Sequence, residues 1–82
     1  LRSAPNPVAS GATAEVVLPR PVSVRLAVVD ALGREVAVLA EGPQPAGPLR
    51  RAWRADGLAP GVYALVLDAA GRRQSVRVTV VR

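Results

Sequence analysis

The chain has 82 residues, half of them apolar, with eleven basic side chains, all arginine, against six acids, and no His, Cys, Met or Phe. Without Cys or His there is no zinc site of the usual ligand types, no thiol nucleophile, no disulfide framework and no imidazole base, so neither an enzyme nor a metal or cofactor protein is expected. The formal net charge of +5 suits several partners or plain solubility, and only the positions of the charges can choose between them.

Apolar residues recur at every second position in short runs separated by Pro, Gly and Asp, the signature of antiparallel strands with one buried face. Residues 1–8, with Pro5-Asn6-Pro7, read as a linker or a first edge strand, and residues 9–82 as the folded unit. The first clear run is Thr13 to Leu18, closed by Pro19-Arg20-Pro21, whose prolines mark a corner. Val22 to Val29 comes next, with Val22, Val24, Leu26 and Val28 on the face expected to be core. Asp30-Ala31-Leu32-Gly33 is a predicted type I turn, with Asp30 bonding its own turn amides and Gly33 at positive φ.

The returning run, Glu35 to Glu41, alternates Val36, Val38 and Ala40 against Glu35, Ala37, Leu39 and Glu41. Its acidic ends predict the first set inside. Gly42 to Gly47 contains two prolines and is predicted to be a loop crossing to another partner. In the next strand, Pro48 to Arg54, Leu49, Arg51 and Trp53 share a face. Burying the indole then obliges Arg51 to snorkel from an edge or to pair with a carboxylate, unless a bulge intervenes. Asp56 to Gly61 is a turn cluster, and Tyr63 just after it has the placement of a tyrosine corner. Val62 to Asp68 resumes the alternation. Ala69-Ala70-Gly71 closes a hairpin into Arg72 to Val81, where Val76, Val78 and Val80 oppose Arg77 and Thr79.

About six or seven short strands with no helix to cover a sheet imply two sheets packed on each other, an all-β sandwich in one domain. The expected core is Val24, Leu26, Val28, Val36, Val38, Trp53, Tyr63, Leu65, Leu67, Val76, Val78 and Val80. No apolar run reaches the roughly 18 residues of a membrane-spanning helix. Neither an initiator Met nor a signal-peptide pattern stands at Leu1, so the chain reads as a piece of something longer. The arginines are spread along the whole sequence with no basic block longer than two, and Trp53 and Tyr63 are the only aromatic residues. That pattern fits solvated strand faces and argues against nucleic acid, which single-strand binders hold with several stacking aromatics.

Taken in order, Pro5-Asn6-Pro7-Val8, Asp30-Ala31-Leu32-Gly33-Arg34-Glu35-Val36, Ala46-Gly47 before the Trp53 strand, Leu58-Ala59-Pro60-Gly61-Val62-Tyr63 and a terminal β run ending on Arg82 form one pattern. It resembles the C-terminal sorting domain, type A, of proteins exported by the type IX secretion system of Bacteroidota and their relatives. The resemblance implies an immunoglobulin-like sandwich without catalytic residues that acts as an address label. It follows a covalently linked passenger through the periplasm, is recognised by the outer-membrane translocon, and is often removed by a sortase near the start of the domain. It also implies a surface or extracellular destination. On this reading the recognition strand corresponds to Val76–Arg82, with Arg77 and Arg82 as its charges on a frame of Val76, Val78 and Val80. The structural positions are Pro5, Asn6, Pro7, Asp30, Gly33, Arg34, Trp53, Leu58, Gly61 and Tyr63. The alternative is a structural immunoglobulin-like module of a surface filament or adhesin, able to self-associate through edge strands.

Overall fold

Among the described residues there are seven strands, and every one of the predicted runs is among them. The computed structural model describes residues 1–81. In chain order the strands are β1 (Arg2–Ala4), β2 (Gly11–Leu18), β3 (Val22–Val29), β4 (Glu35–Gln44), β5 (Gly47–Arg54), β6 (Gly61–Ala69) and β7 (Arg72–Val80). They form two antiparallel sheets, β1-β2-β5 and β4-β3-β6-β7. This is an immunoglobulin-like sandwich whose fourth strand lies beside the third. Residues 1–8 contribute the short edge strand β1, which pairs with Thr13–Glu15 of β2, and Val8, which is fully buried.

Alternation works as a burial rule wherever a strand is regular. Ala12, Ala14, Val16 and Leu18 of β2 face Val24, Leu26 and Val28 of β3, with Leu49 and Trp53 from β5, Tyr63, Leu65 and Leu67 from β6, and Val78 and Val80 from β7. Completely burying a side chain of Leu or Val size stabilises by about 1.5–3 kcal/mol, so these two interleaved inner faces are the main source of stability. Val76 is half-buried, nearer the open end of β7.

The expectation fails in β4. Spacing alone puts Val36 and Val38 in the core, but they are 38% and 47% exposed, whereas Ala37 and Leu39 pack against the core and Ala40 is buried. Two register shifts are responsible: Leu26 pairs with Ala40 but Ala27 with Val38, and Val28 pairs with Ala37 but Val29 with Glu35. Each shift leaves one β4 residue, Leu39 and then Val36, opposite no partner of its own. An extra residue reverses the in-and-out parity of the strand beyond it, so a strict period-two reading puts the wrong face inside. The predicted loop from Gly42 to Gly47 is also shorter than expected. Strand β4 runs on through Pro43 to Gln44, which an edge strand allows because the missing N–H is not needed by β3. Only Pro45 and Ala46 cross between the sheets.

Turn chemistry closes the two hairpins of the larger sheet. Between β3 and β4, the Gly33 N–H donates to the Asp30 carbonyl at 3.0 Å and the Asp30 N–H to the Arg34 carbonyl at 2.9 Å, with Gly33 at φ 82°. That is the three-residue hairpin in which a type I turn is followed by a left-handed residue. Between β6 and β7, Ala70 and Gly71 both have positive φ, 52° and 73°, the pattern of a two-residue primed turn. Alanine carries a Cβ into that region, which glycine does not.

Candidate functional site

The terminal strand is the region to which the resemblance assigns recognition, and the Pro5-Asn6-Pro7 segment straps it. Alternate residues of β7 point to opposite faces: Val78 and Val80 are buried, Val76 is half-buried, and Arg77 is exposed with Thr79 partly so. Arg82, the other candidate charge, lies outside the described residues. Val76, Val78 and Val80 pair with Leu65, Tyr63 and Gly61 of β6, while Arg77 pairs with Ala64. The valines therefore belong to the sandwich itself, and of the candidate recognition residues described, Arg77 is the one offered to solvent.

On its other edge β7 is held by the chain start. The Asn6 side-chain amide donates from Nδ2 to the Arg77 carbonyl at 2.9 Å, and its Oδ1 accepts from the Thr79 N–H at 3.1 Å. Val8 continues the contact: its N–H donates to the Thr79 carbonyl at 2.7 Å, and its carbonyl accepts from the Val81 N–H at 2.8 Å, a parallel bridge to Val80. A carboxamide has the donor and acceptor of a peptide group, and between two prolines, which lack N–H groups, it takes the place of a backbone partner. Sequence reasoning puts Asn6 in a motif and misses this role. The available signal is a lone carboxamide flanked by prolines.

The remaining structural positions each close one junction. Trp53 Nε1 donates to Ser3 Oγ at 3.2 Å, which gives the buried indole its acceptor and ties β5 to β1 across β2. Nothing in the sequence singles out Ser3. The Tyr63 hydroxyl donates to the Ala59 carbonyl at 2.7 Å, four residues upstream, the geometry of a tyrosine corner. Leu58, half-buried beneath that loop, packs on the core and donates its N–H to the Ala55 carbonyl at 3.0 Å. Gly61 opens β6 opposite Val80. Asp30 accepts from the N–H groups of Leu32 and Arg34 through Oδ1 and pairs with the Arg34 guanidinium through Oδ2, each at 2.9 Å. These bonds, the Arg34 amide first, hold its carboxyl below the usual range. Pro5 and Pro7 are exposed, and the bonds preceding both are cis. Of the alternatives open to it Arg51 snorkels, its guanidinium reaching the Gln44 side chain at 3.5 Å and the Arg50 carbonyl at 2.9 Å instead of a carboxylate.

Charge is distributed by cross-strand neighbours. On the outer face of the smaller sheet Glu15 lies between Arg2 and Arg50, its partners in register, and is paired with both. Those two guanidiniums, Arg50 first, lower the Glu15 pKa. On the larger sheet a row of alternating sign crosses all four strands: Glu41, Arg25, Asp68, Arg73. Arg25 is paired with Glu41 and with Glu35, and Arg73 with Asp68 at 2.8 Å. The hydrogen bonds from Arg25 and Arg73 hold the Glu35 and Asp68 carboxyls low.

Arg54 pairs with Asp56 and Arg34 with Asp30, so every acid of the chain has an arginine partner. Among the described residues Arg20, Arg51, Arg72 and Arg77 have no acid partner, and of these Arg51 is held by Gln44 and the Arg50 carbonyl. Arg20 and Arg72 flank an apolar cleft of about 160 Å³ between the sheets, floored by Val16, Leu18 and Leu67. No group of three or more potential metal ligands occurs among the described residues, and they include no helix long and apolar enough to cross a membrane. Comparison of the chain with models of known families, with curated proteins and with solved structures finds no match.

Proposed function

We propose that the domain is a non-catalytic C-terminal signal for secretion and cell-surface sorting, read by the outer-membrane type IX translocon and removed from its passenger by the associated sortase. The observation that carries this reading is the strap between Asn6–Val8 and Arg77–Val81. It makes the presentation of the terminal strand conditional on the two ends of the domain having come together, so Arg77 is displayed in its register only by a folded sandwich. A label read in that form reports that the domain has folded before export. The motif residues support the same reading, because Asp30 and Gly33, Trp53 and Tyr63 each close a junction of the sandwich. The partners on this reading are the translocon, the sortase and the covalently attached passenger, and the destination is the outer-membrane surface or the medium.

The test is transfer of the address. Residues 1–82 fused behind a periplasmically exported reporter, in a bacterium with type IX machinery, should carry the reporter to the cell surface. Retention of the folded fusion in the periplasm would contradict the proposal. The competing reading, a module of a surface filament or adhesin, predicts assembly of the purified domain into oligomers, which sedimentation would detect.

A further inference from the structure

Four strand edges are open to the side in this sandwich, and three are blunted. Strand β1 is only three residues long, and β4 carries Pro43 and two register shifts. Strand β5 begins Gly47–Pro48, and its arginines are engaged by Glu15, Gln44 and Asp56. These are the usual devices that keep an edge from recruiting another strand. Strand β7 has only two such safeguards, its arginines and the partial cover of the strap. It contains no proline, pairs with β6 in unbroken register, and is strapped only from Arg77 to Val81.

Backbone groups of alternate strand residues point to the same side. The strap uses the Thr79 N–H and carbonyl and the Arg77 carbonyl, so the Arg77 N–H and both groups of Ser75 and Arg73 are directed at the open edge. Side-chain charge specifies what fits there. The alternating row Glu41, Arg25, Asp68, Arg73 ends on a cation at this edge, and Arg77, four residues on and on the same outer face, is unpaired among the described residues. The inner side of the same stretch offers half-buried Val76 and, at its end, the apolar cleft beside Arg72.

We infer that the β7 edge from Arg73 to Arg77 is a docking site for an added strand from a partner protein, one with acidic side chains four residues apart on its outer face and apolar side chains between them. Backbone bonds to Arg73, Ser75 and Arg77 supply the pairing, and the acids opposite Arg73 and Arg77 set the register by continuing the alternating row. A second copy of the domain is disfavoured as occupant, because Arg72, Arg73 and Arg77 would meet their own kind across a two-fold axis in a protein of net charge +5. The inference stands on the open edge and its charges and does not require the sorting function.

The probe is the capped heptapeptide Val-Glu-Val-Thr-Val-Glu-Val, whose acids are four apart, titrated against the whole domain. Binding should protect the Ser75 and Arg77 amides from exchange. Ser75→Pro removes an edge N–H that β6 does not use and should abolish binding while far-ultraviolet dichroism is preserved; Arg77→Glu should weaken it at least tenfold. Exchange in the unaltered domain decides the matter if the proline variant does not fold. Three results would overturn the inference: no binding of the peptide, equal binding when its two Glu are replaced by Lys, or binding without protection at Ser75 and Arg77. A peptide-free dimer that is lost in Ser75→Pro would also overturn it, by assigning the edge to a second copy.

Discussion

Removing the Asn6 carboxamide tests how firmly the two ends of the domain are tied. Asn6→Ala deletes two hydrogen bonds to β7, one to the Arg77 carbonyl and one from the Thr79 N–H. A typical bond contributes about 0.5–1.5 kcal/mol net. Asn6 is exposed, so water can replace part of what is lost, and the expected cost lies near 1–2 kcal/mol, an order-of-magnitude figure of about one to two such bonds. For a domain of this size 1 kcal/mol moves the thermal midpoint by roughly 4–8 °C, so the loss is easily resolved by calorimetry. Val8, two residues on and fully buried, keeps its own backbone bonds, so the domain should still fold. Hydrogen exchange adds the local signature: the Thr79 amide should lose protection while amides of the β3–β6 ladder keep theirs. Asn6→Asp separates the two bonds, since a carboxylate still accepts from Thr79 but repels the Arg77 carbonyl, and it should fall between alanine and the original. A variant Asn6→Ala with an unchanged midpoint and an unchanged Thr79 exchange rate would refute the strap as a source of stability.

The turns give opposite signs at neighbouring kinds of position. Gly33→Ala puts a Cβ at φ 82° with no side-chain contact within 4 Å to compensate, and should cost about 1 kcal/mol; Ala70→Asn, at φ 52°, should gain about 0.5–1 kcal/mol, and denaturant midpoints of the pair check both. Tyr63→Phe removes the bond to Ala59 and should cost about 1 kcal/mol, most of it local to the Ala55–Gly61 loop as read by exchange at Leu58. The Glu15, Asp30, Glu35 and Asp68 carboxyls are all held below their ordinary values by arginine or amide hydrogen bonds. Their stabilisation is complete above the unfolded carboxylate range, about pH 4–4.5, and is lost as pH falls through the lower folded values. Thermal midpoints should therefore be flat from about pH 7 to 5 and drop below about pH 4, less steeply in Glu15→Gln.

What can be read from the sequence, and what cannot, divides along physical lines. Period-two alternation in β2, β3, β6 and most of β7 states directly which residues turn inward, because in an unbroken strand parity is fixed by geometry. In β4 the same reading misplaces Val36 and Val38, since an inserted residue leaves no mark in local composition and is chosen by how the edge strand fits β3. Turn residues are equally legible: Asp30 and Gly33 have their predicted tasks, which depend on side-chain reach and φ alone. The partners of Asn6 and Trp53 are not. They lie 71 and 73 residues away for Asn6 and 50 for Trp53; the Trp53 pairing exists only once β1, β2 and β5 have assembled into one sheet, and those of Asn6 only once the two sheets are stacked. Within β7 the sequence orders the charges but does not sort them. Only the cross-strand registers separate Arg73, already matched with Asp68, from Arg77, which has no acid partner among the described residues.

The central claim, that the folded terminal strand is read as an address through its charges, is tested most directly by reversing them. The variant Arg77→Glu with Arg82→Glu, fused to the exported reporter and first shown by its thermal midpoint to be folded, should accumulate in the periplasm while the unaltered fusion reaches the surface. Equal surface delivery of both fusions would contradict the claim and leave these arginines as solubilising charges.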